Sequence, residues 1–293
     1  MIPGTLFVVG PTGSGKSAVA LEIARKFDAE IINGDAFQIY RGLEILSAQP
    51  SAEEMKLVAH HLYGFLDPAE EFDAARYAHL ANARITEVLQ RGKRPLVVGG
   101  SGLYIKALTH GLAELPPVDS ELRSLLVAMP MEEARTKLLE LDPAAAAHLN
   151  LQNPRHVQRA LEICLLTGQP ASELKKSWQE AEIQPCGVLL DLPRDLLYQR
   201  IEARTLHMFE RGVVREMQAI GSPGPTARKA LGLREILSGT PPSEIIPEIQ
   251  LATRHYAKRQ LTWFRREKHF LPVSSHEEAF ESLAALFAQP AAG

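Results

Sequence analysis

Hydrophobic residues in the first hundred positions alternate between short apolar runs and longer stretches with helical spacing. The runs at residues 6–9, 30–32 and 95–98 are rich in Val, Ile and Leu, which is typical of buried strands. Residues 18–27 and 74–91 repeat apolar side chains at helical spacing, which predicts amphipathic helices. Strands that alternate with helices predict a parallel α/β sheet with helices on both faces.

The pattern changes near residue 112. Residues 113–186 contain several stretches with helical spacing and almost no run of strand-forming residues, whereas residues 188–192 return to a strand pattern. We interpret this stretch as an α-helical insertion between two sheet strands, because an independent second domain explains the returning strand less well. The sequence therefore predicts a core of residues 1–112 and 187–293, with a helical C-terminal part.

The composition is that of an ordinary globular protein, since 45% of the 293 residues are hydrophobic and 23% are charged. Cys164 and Cys186 have no CxxC partner, which predicts neither a metal site nor a disulfide framework and favours a reducing compartment. No apolar stretch approaches the roughly 20 residues of a membrane helix. The apolar N-terminal run lacks the basic start and cleavage site of a signal peptide. We therefore expect a cytoplasmic protein.

Positive charge is concentrated near the C-terminus, although the net charge of −3 does not indicate a nucleic-acid binder. The concentrated cations are Arg254, Lys258, Arg259, Arg265, Arg266 and Lys268, with Glu267 as the single acid among them. If these side chains converge, they form a phosphate-binding face. If they do not, they belong to a solvated basic helix. Charge alone leaves both interpretations open.

A glycine-rich loop follows the first predicted strand and precedes the first predicted helix. Its sequence, Gly10-Pro11-Thr12-Gly13-Ser14-Gly15-Lys16-Ser17, matches the phosphate-loop pattern G-x-x-x-x-G-K-[ST]. Gly13 and Gly15 let the backbone amides turn inward around an anion, and the helix N-terminus adds partial positive charge. Lys16 supplies a point charge for the terminal phosphates, and the Ser17 hydroxyl is suited to Mg²⁺. We predict a diphosphate or triphosphate ligand.

The acids near this loop differ from those of an ordinary ATPase. The strand at residues 95–98 ends in Gly99-Gly100, where such an enzyme carries an acidic metal ligand. Asp35 instead closes the second predicted strand, at the edge where doubly wound sheets bind ligands. This position suits a base that acts on an acceptor beside the phosphates. It also suits a small-molecule kinase, and a cap of the following turn is a third interpretation of Asp35.

The order of several motifs resembles that of the tRNA dimethylallyltransferase family, whose members are also called tRNA isopentenyltransferases. Besides the phosphate loop, these motifs are DAFQIYRG from residue 35, HHL from 60, GGSGLY from 99, RALE from 159, TGQP from 167 and TRHYAKRQLTWFR from 253. The last segment is highly specific, whereas the phosphate loop alone is not. The resemblance covers the chain from residue 4 to about residue 270.

The resemblance implies transfer of a dimethylallyl group from dimethylallyl diphosphate to N6 of adenosine 37 in tRNA anticodon loops. Because an allylic C–O bond can ionise, the main catalytic need is to stabilise the departing diphosphate. The resemblance assigns stabilisation of the diphosphate to Lys16, Ser101 and Arg204, with Mg²⁺ on Ser17. It assigns proton removal from N6 to Asp35. Ser101 as a helix cap and Arg204 as an exposed helix arginine are the alternative interpretations.

The resemblance also implies contacts with the tRNA anticodon stem-loop, and we expect a monomer that binds no membrane. The implied tRNA contacts are Asp35, Ala36, Phe37, Gln38, Ser101, Arg123, Arg155, His156, Val157, Gln158, Arg159, Arg254, Lys258, Arg259 and Arg265. The chain has Ala36, Gln49 and Leu233 where the family usually has Ser, Lys and Tyr, which affects tRNA affinity more than activity. We interpret His60 and His61 as structural residues, because adjacent side chains on a helix diverge.

Three other functions compete with this one. A prenyltransferase acting on free adenine nucleotide needs neither the helical insertion nor the basic C-terminal segment. A small-molecule kinase is disfavoured because the strand at residues 95–98 does not end in an acidic metal ligand, and because the family motifs are present. A non-catalytic RNA-binding protein would be expected to lose Lys16, Ser17 or Asp35, and all three are present.

Overall fold

The apolar runs assemble into one six-stranded sheet in the computed structural model of the chain. Its strands are β1 (Leu6–Val9), β2 (Ala29–Asn33), β3 (His60–His61), β4 (Arg94–Gly99), β5 (Cys186–Leu190) and β6 (Phe270–Val273). They lie in the order β3-β2-β4-β1-β5-β6, and neighbouring strands are parallel. The predicted parallel α/β fold is confirmed.

The chain forms two compact units. The structure describes residues 4–111, 119–176 and 186–289. The first unit contains the sheet and takes its described residues from 4–109 and 186–289, and the second takes them from 110–111 and 119–176. The predicted boundary between residues 112 and 113 lies outside the described residues. Within the described ranges, no helix combines the length and the apolar character needed to cross a membrane.

Helices account for most of the remaining regular structure. In chain order they are α1 (Lys16–Lys26), α2 (Ala52–Leu57), α3 (Ala74–Gln90), α4 (Gly102–His110), α5 (Ser120–Ala128), α6 (Met131–Leu141), α7 (Ala145–His148), α8 (Pro154–Thr167), α9 (Ala171–Lys176), α10 (Arg194–Glu210), α11 (Val213–Ala219), α12 (Leu233–Leu237), α13 (Pro242–Phe264) and α14 (His276–Ala288), with a 3-10 turn at Ala227–Lys229. Helices α5 to α9 belong to the second unit.

The central strand β1 is buried on both faces, which explains its continuous apolar sequence. On one face, Val8 belongs to a buried cluster with Ile23 of α1 and Leu283 of α14. Alternation along the strand places Phe7 on the other face, where its ring centroid lies 6.0 Å from that of Phe270 in β6. Helix α3, which contributes no residue to that cluster, packs against β2 and β4. Both faces of the sheet are thus covered. Because β1, β2, β4 and β5 are parallel, their carboxyl ends meet at one edge of the sheet.

Two strands are absent from the pattern-based prediction. Strand β6 contains Pro272, which cannot donate a ladder hydrogen bond and is tolerated because β6 is an edge strand. Strand β3 consists only of His60 and His61, so the expectation that these residues lie on a helix is wrong. His61 Nε2 lies 2.7 Å from Glu30 Oε2, and Arg91 binds the same oxygen at 2.6 Å. His61 thus ties the edge strand β3 to Glu30 of the neighbouring strand β2.

The second unit is built around α8. Asn153 caps this helix by accepting the Arg155 N–H at 3.1 Å, and Pro154 occupies the first helical position. Gly168 ends the helix in the left-handed conformation, with a φ of 68°. The apolar side of α8 packs against α5, α6 and α9 around a buried core of its own.

Candidate functional site

The phosphate loop, residues 10–17, connects β1 to α1. Gly13 and Gly15 have left-handed φ values of 82° and 83°, which residues with a Cβ rarely adopt. A Cβ on Gly13 would lie 2.9 Å from Ile201 Cγ1, and one on Gly15 would lie 2.2 Å from His276 Nε2. Helix α1 has no side-chain cap, so its first N–H groups are available to an anion. Within the loop, the N–H groups of Thr12 and Ser14 already donate to Gln260 Oε1 and Pro11 O, so the anion would bind to the other loop amides.

Two side chains with no role predicted from the sequence, Arg200 and His276, hold the loop at Ser14. Arg200 Nη1 of α10 donates to Ser14 O at 3.1 Å and lies 3.0 Å from His276 Nε2. His276 Nε2, at the start of α14, is itself 3.1 Å from the same Ser14 oxygen. These contacts hold one loop carbonyl away from the anion, which leaves N–H groups to face the ligand.

The cations Lys16 and Arg204 and the carboxylate of Asp35 lie close enough together at the loop to shift the pKa of both cations. Lys16 Nζ donates to Pro11 O at 3.0 Å, and Arg204 of α10 donates to the Thr12 hydroxyl. Burial lowers the pKa of Lys16 to about 8; the negative charge of Asp35 opposes this change, and the positive charge of Arg204 adds to it. Burial also lowers the pKa of Arg204, again opposed by Asp35. A bound anion would relieve the repulsion between Lys16 and Arg204.

Asp35 stands in a turn that Asn33 fixes. Asn33 Oδ1 accepts the Asp35 N–H at 2.8 Å, and Asn33 Nδ2 donates to the carbonyl oxygens of Asp35 and Leu62 at 3.0 and 2.9 Å. Asp35 Oδ1 accepts the Phe37 N–H at 3.0 Å. The carboxylate therefore caps the turn with one oxygen. Its Oδ2 makes no hydrogen bond within the described ranges, which leaves that oxygen for an acceptor.

Ser101 links the segment after β4 to the segment after β2. Its Oγ accepts the Ala36 N–H at 2.8 Å, directly beside Asp35. Burial and the charge of Asp35 raise the pKa of the Tyr256 phenol, while hydrogen bonds to Ser101 and Gln260 oppose the rise. The Ser101 hydroxyl thus lies between the Asp35 turn and helix α13.

Gln260 of α13 joins two loops at the carboxyl edge of the sheet. Its Oε1 accepts the Thr12 N–H and its Nε2 donates to Gly100 O, both at 2.8 Å. The side chain is only 5% exposed, so its role is to hold the two loops. Neither Gln260 nor Tyr256 has a role predicted from the sequence. Their position inside the specific segment 253–265 was the available signal.

The predicted RNA contacts near Asp35 are half-buried. Ala36, Phe37 and Gln38 follow it directly, and Gln38 Nε2 donates to the carbonyl oxygens of residues 47 and 48 at 3.1 and 2.7 Å. Gln38 therefore also fixes the neighbouring loop, whose Leu46 carbonyl lies 3.4 Å from Arg204 Nη2.

The predicted RNA contacts along α13 differ in how far their charge is compensated. Lys258 and Arg259 are exposed. Arg254 pairs with Glu202 at 3.1 Å. Arg265, just beyond the helix, makes two hydrogen bonds to Asp191 at 2.8 and 2.9 Å.

The predicted contacts in the second unit centre on Glu162, which is buried. Its Oε2 accepts hydrogen bonds from Arg123 at 3.0 Å and from Arg159 at 2.8 Å. Burial raises the pKa of Glu162, but the two arginines outweigh burial and hold it below its ordinary value. One buried carboxylate therefore sets the direction of two predicted RNA-binding guanidinium groups.

The other predicted contacts of the second unit lie on α8. Arg155 and His156 are exposed, and Gln158 Nε2 donates to Leu126 O at 3.3 Å. Val157 is fully buried in the core of this unit. Its side chain faces the core because it lies on the apolar face of α8, so the implied tRNA contact at Val157 stays a prediction that concerns its main chain.

Ser17 is the predicted magnesium ligand. It is exposed in the first turn of α1, and its hydroxyl makes no hydrogen bond within residues 4–111, 119–176 and 186–289. Mg²⁺ typically takes one or two protein oxygens together with phosphate oxygens, so a free hydroxyl beside the phosphate loop fits this ion. Over the same residues, no group of three or more His, Cys, Asp or Glu side chains could hold a metal.

Comparison with known sequences identifies relatives along nearly the whole chain. A profile of the IPP transferase family matches residues 38–267. The tRNA dimethylallyltransferase of Akkermansia muciniphila is 42% identical over 277 residues, which is 92% of this chain and 94% of that protein. The tRNA dimethylallyltransferase of Geobacter metallireducens is 40% identical over 283 residues, covering 92% and 91% of the two chains.

The solved structures that resemble this chain carry the same family names as its sequence relatives. The crystal structure of the tRNA isopentenylpyrophosphate transferase from Bacillus halodurans is 32% identical, with a TM-score of 0.71 over 98% of this chain and 96% of that one. A eukaryotic dimethylallyltransferase acting on tRNA is 24% identical, with a TM-score of 0.82 over 99% and 81%. At that identity the likeness is one of fold.

Proposed function

Because the chain belongs to the IPP transferase family, as its motifs suggested, we propose that it transfers a dimethylallyl group from dimethylallyl diphosphate to N6 of adenosine 37 in tRNA anticodon loops. The products are N6-dimethylallyladenosine and diphosphate. The observation that carries the proposal is the grouping of Lys16, Arg204 and Asp35 around one phosphate loop. This grouping places an anion site beside a carboxylate with a free oxygen.

The donor half of the site is suited to a diphosphate that leaves with a full electron pair. As the bond between the allyl C1 and the diphosphate oxygen breaks, charge develops on the leaving group, and the loop amides, Lys16 and Arg204 are positioned to stabilise it. Ser17 would hold Mg²⁺, which neutralises diphosphate charge when bound. Ser101 supports the same region through its contact with the Asp35 turn.

The acceptor half centres on Asp35. The adenosine N6 forms a bond to C1 and must lose a proton, and Asp35 Oδ2 is the carboxylate oxygen free to take it. Such a base contributes about 10²–10⁴-fold to a rate. The target base must leave its stack to reach the sheet edge, as enzymes that modify bases require.

The acceptor is proposed to be the tRNA anticodon stem-loop. Support comes from the exposed cations of α13 and, in the second unit, from the guanidinium groups of Arg123 and Arg159. A free mononucleotide would need neither set. A tRNA acceptor is also consistent with the expected cytoplasmic monomer.

The test is transfer of labelled dimethylallyl from its diphosphate, with Mg²⁺, to unmodified tRNA, with AMP as the alternative acceptor. Asp35→Asn keeps the turn-capping oxygen but cannot take a proton, so we expect transfer to fall about 10²–10⁴-fold. Asp67→Asn is the matched control, because Asp67 caps an exposed turn in the same way through the Ala69 N–H at 2.8 Å. Label on AMP alone would indicate the mononucleotide enzyme, and phosphorylation of an acceptor by ATP without prenyl transfer would indicate the kinase.

A further inference from the structure

A cavity of about 270 Å³ opens in the first unit between the start of α10 and the end of α13. The residues that line it include Leu192, Arg194, Leu197, Tyr198, Lys258 and Arg265. The volume lies just below the roughly 300–1,000 Å³ of sites for whole small-molecule ligands. It therefore suits a single small unit of a larger ligand.

The rim of the cavity carries positive charge that the protein does not fully neutralise. Arg265 is paired with Asp191, but Arg194 and Lys258 have no ion-pair partner among the described residues. Arg194 and Lys258 are both exposed. The acid in the first turn of α10 is Asp195. Two uncompensated cations held on separate helices favour an anionic ligand between them.

The other walls add a helix terminus, an aromatic ring and an apolar floor. Helix α10 begins after Pro193, which provides no side-chain cap, so the partial positive charge of its first turn adds to the cationic rim. The Arg194 guanidinium lies 5.0 Å from the centre of the Tyr198 ring, which supports it by a cation–π contact. Leu192 and Leu197 are buried beneath the rim. The cavity thus combines an anion site with an apolar surface for a sugar.

The cavity and the phosphate loop share one wall. A Cβ on Gly13 would lie 3.5 Å from Leu197 Cδ1 and 2.9 Å from Ile201 Cγ1, so α10 packs directly against the loop. Strand β5, which leads into α10, is the neighbour of β1, which leads into the loop. Both features therefore lie at the carboxyl edge of the sheet.

We propose that this cavity binds the phosphate and ribose of one nucleotide of the acceptor RNA, with Arg194 and Lys258 on the phosphate and Tyr198 beside the ribose. The proposal rests on the proposed function, since it places a second part of the same tRNA next to the reacting base. It adds Arg194 and Tyr198, which precede the basic segment by some 60 residues of sequence, to the RNA-binding residues.

The test measures binding of unmodified tRNA to the full-length protein over a range of KCl concentrations. Arg194→Gln removes one phosphate contact, so we expect affinity to fall about three- to tenfold. The slope of log K against log salt should become shallower by about 0.7–0.9. The matched control is Arg84→Gln, which removes the same charge from the exposed side of α3. Thermal stabilisation by inorganic diphosphate verifies that the neighbouring loop is intact in each variant.

An unchanged affinity and an unchanged salt slope in Arg194→Gln, in a preparation whose wild type binds and modifies tRNA, would overturn this inference and leave the proposed function standing. Equal losses in Arg194→Gln and Arg84→Gln would also overturn it, because they would show a general charge effect. A wild type that neither binds tRNA nor transfers the prenyl group would remove both proposals together.

Discussion

The lowered pKa of Lys16 predicts that donor binding takes up a proton. Burial lowers this pKa from 10.5 to about 8, so about half of the Lys16 side chains are neutral at pH 8. A bound diphosphate places opposite charge beside the ammonium group and favours its charged form. We therefore expect diphosphate binding to take up about 0.5 proton through Lys16 at pH 8, and almost none at pH 6.5.

The same pKa has a consequence for stability. The folded-state value lies below the unfolded-state value, so the unfolded chain binds more protons between pH 8 and pH 10.5, and stability rises with pH across that window. The difference corresponds to at most roughly 3 kcal/mol at 1.36 kcal/mol per pH unit. Lys16→Met should therefore be the more stable protein at pH 7 without donor, by up to that amount, and this advantage should disappear near pH 10.

Calorimetric titration with inorganic diphosphate and Mg²⁺, in two buffers of different ionisation enthalpy, gives the number of protons taken up. Lys16→Arg is the control, since arginine stays charged throughout this pH range. Equal proton uptake by wild type and Lys16→Arg at pH 8 would refute the argument. So would a Lys16→Met protein that is less stable than wild type at pH 7.

Two further predictions concern side chains that hold the loops. Gln260→Met leaves the two backbone groups that Gln260 binds unpaired. The free energy of unfolding in urea should therefore fall by about 2–4 kcal/mol, and diphosphate binding should weaken. Unchanged values in both assays would contradict the bridging role. Glu216 accepts two backbone N–H groups at 2.6 and 2.8 Å, and burial raises its pKa above 4.5. Its contribution to stability should therefore fall as the pH rises through that raised pKa, and Glu216→Gln should remove this slope from urea titrations between pH 4 and 7; a slope that persists in the variant would assign it to other groups.

Local patterns were sufficient to predict the centre of the fold. Strand β1 and the phosphate loop follow from a short apolar run and a fixed glycine spacing, both contained within a dozen residues. Asp35 could be located because it ends a strand at the edge of a predicted parallel sheet. Strand β6 could not be predicted, because a run containing Pro272 qualifies as a strand only when its edge position is known.

The supporting side chains could not be predicted from periodicity, because their partners are remote in sequence. Gln260 is separated by 248 residues from Thr12 and by 160 from Gly100. His61 of β3 pairs with Glu30 of the neighbouring strand β2. No local pattern around His60 and His61 distinguishes a short edge strand from a helix. Motif resemblance marked the segment around Gln260, but only the packing of α13 shows that this residue faces the loops while Lys258 faces solvent.

The hydrogen bond from Gln260 to the phosphate loop also constrains how the protein is made. The loop leaves the ribosome first, and the glutamine that fixes it follows 248 residues later, roughly 12–50 s at typical elongation rates. Strand β1 likewise lacks one of its two neighbouring strands until β5 has been synthesised. A nascent chain of 200 residues would therefore carry the entire phosphate motif without its final geometry, so the ability to bind diphosphate should arise only after Gln260 has left the ribosome.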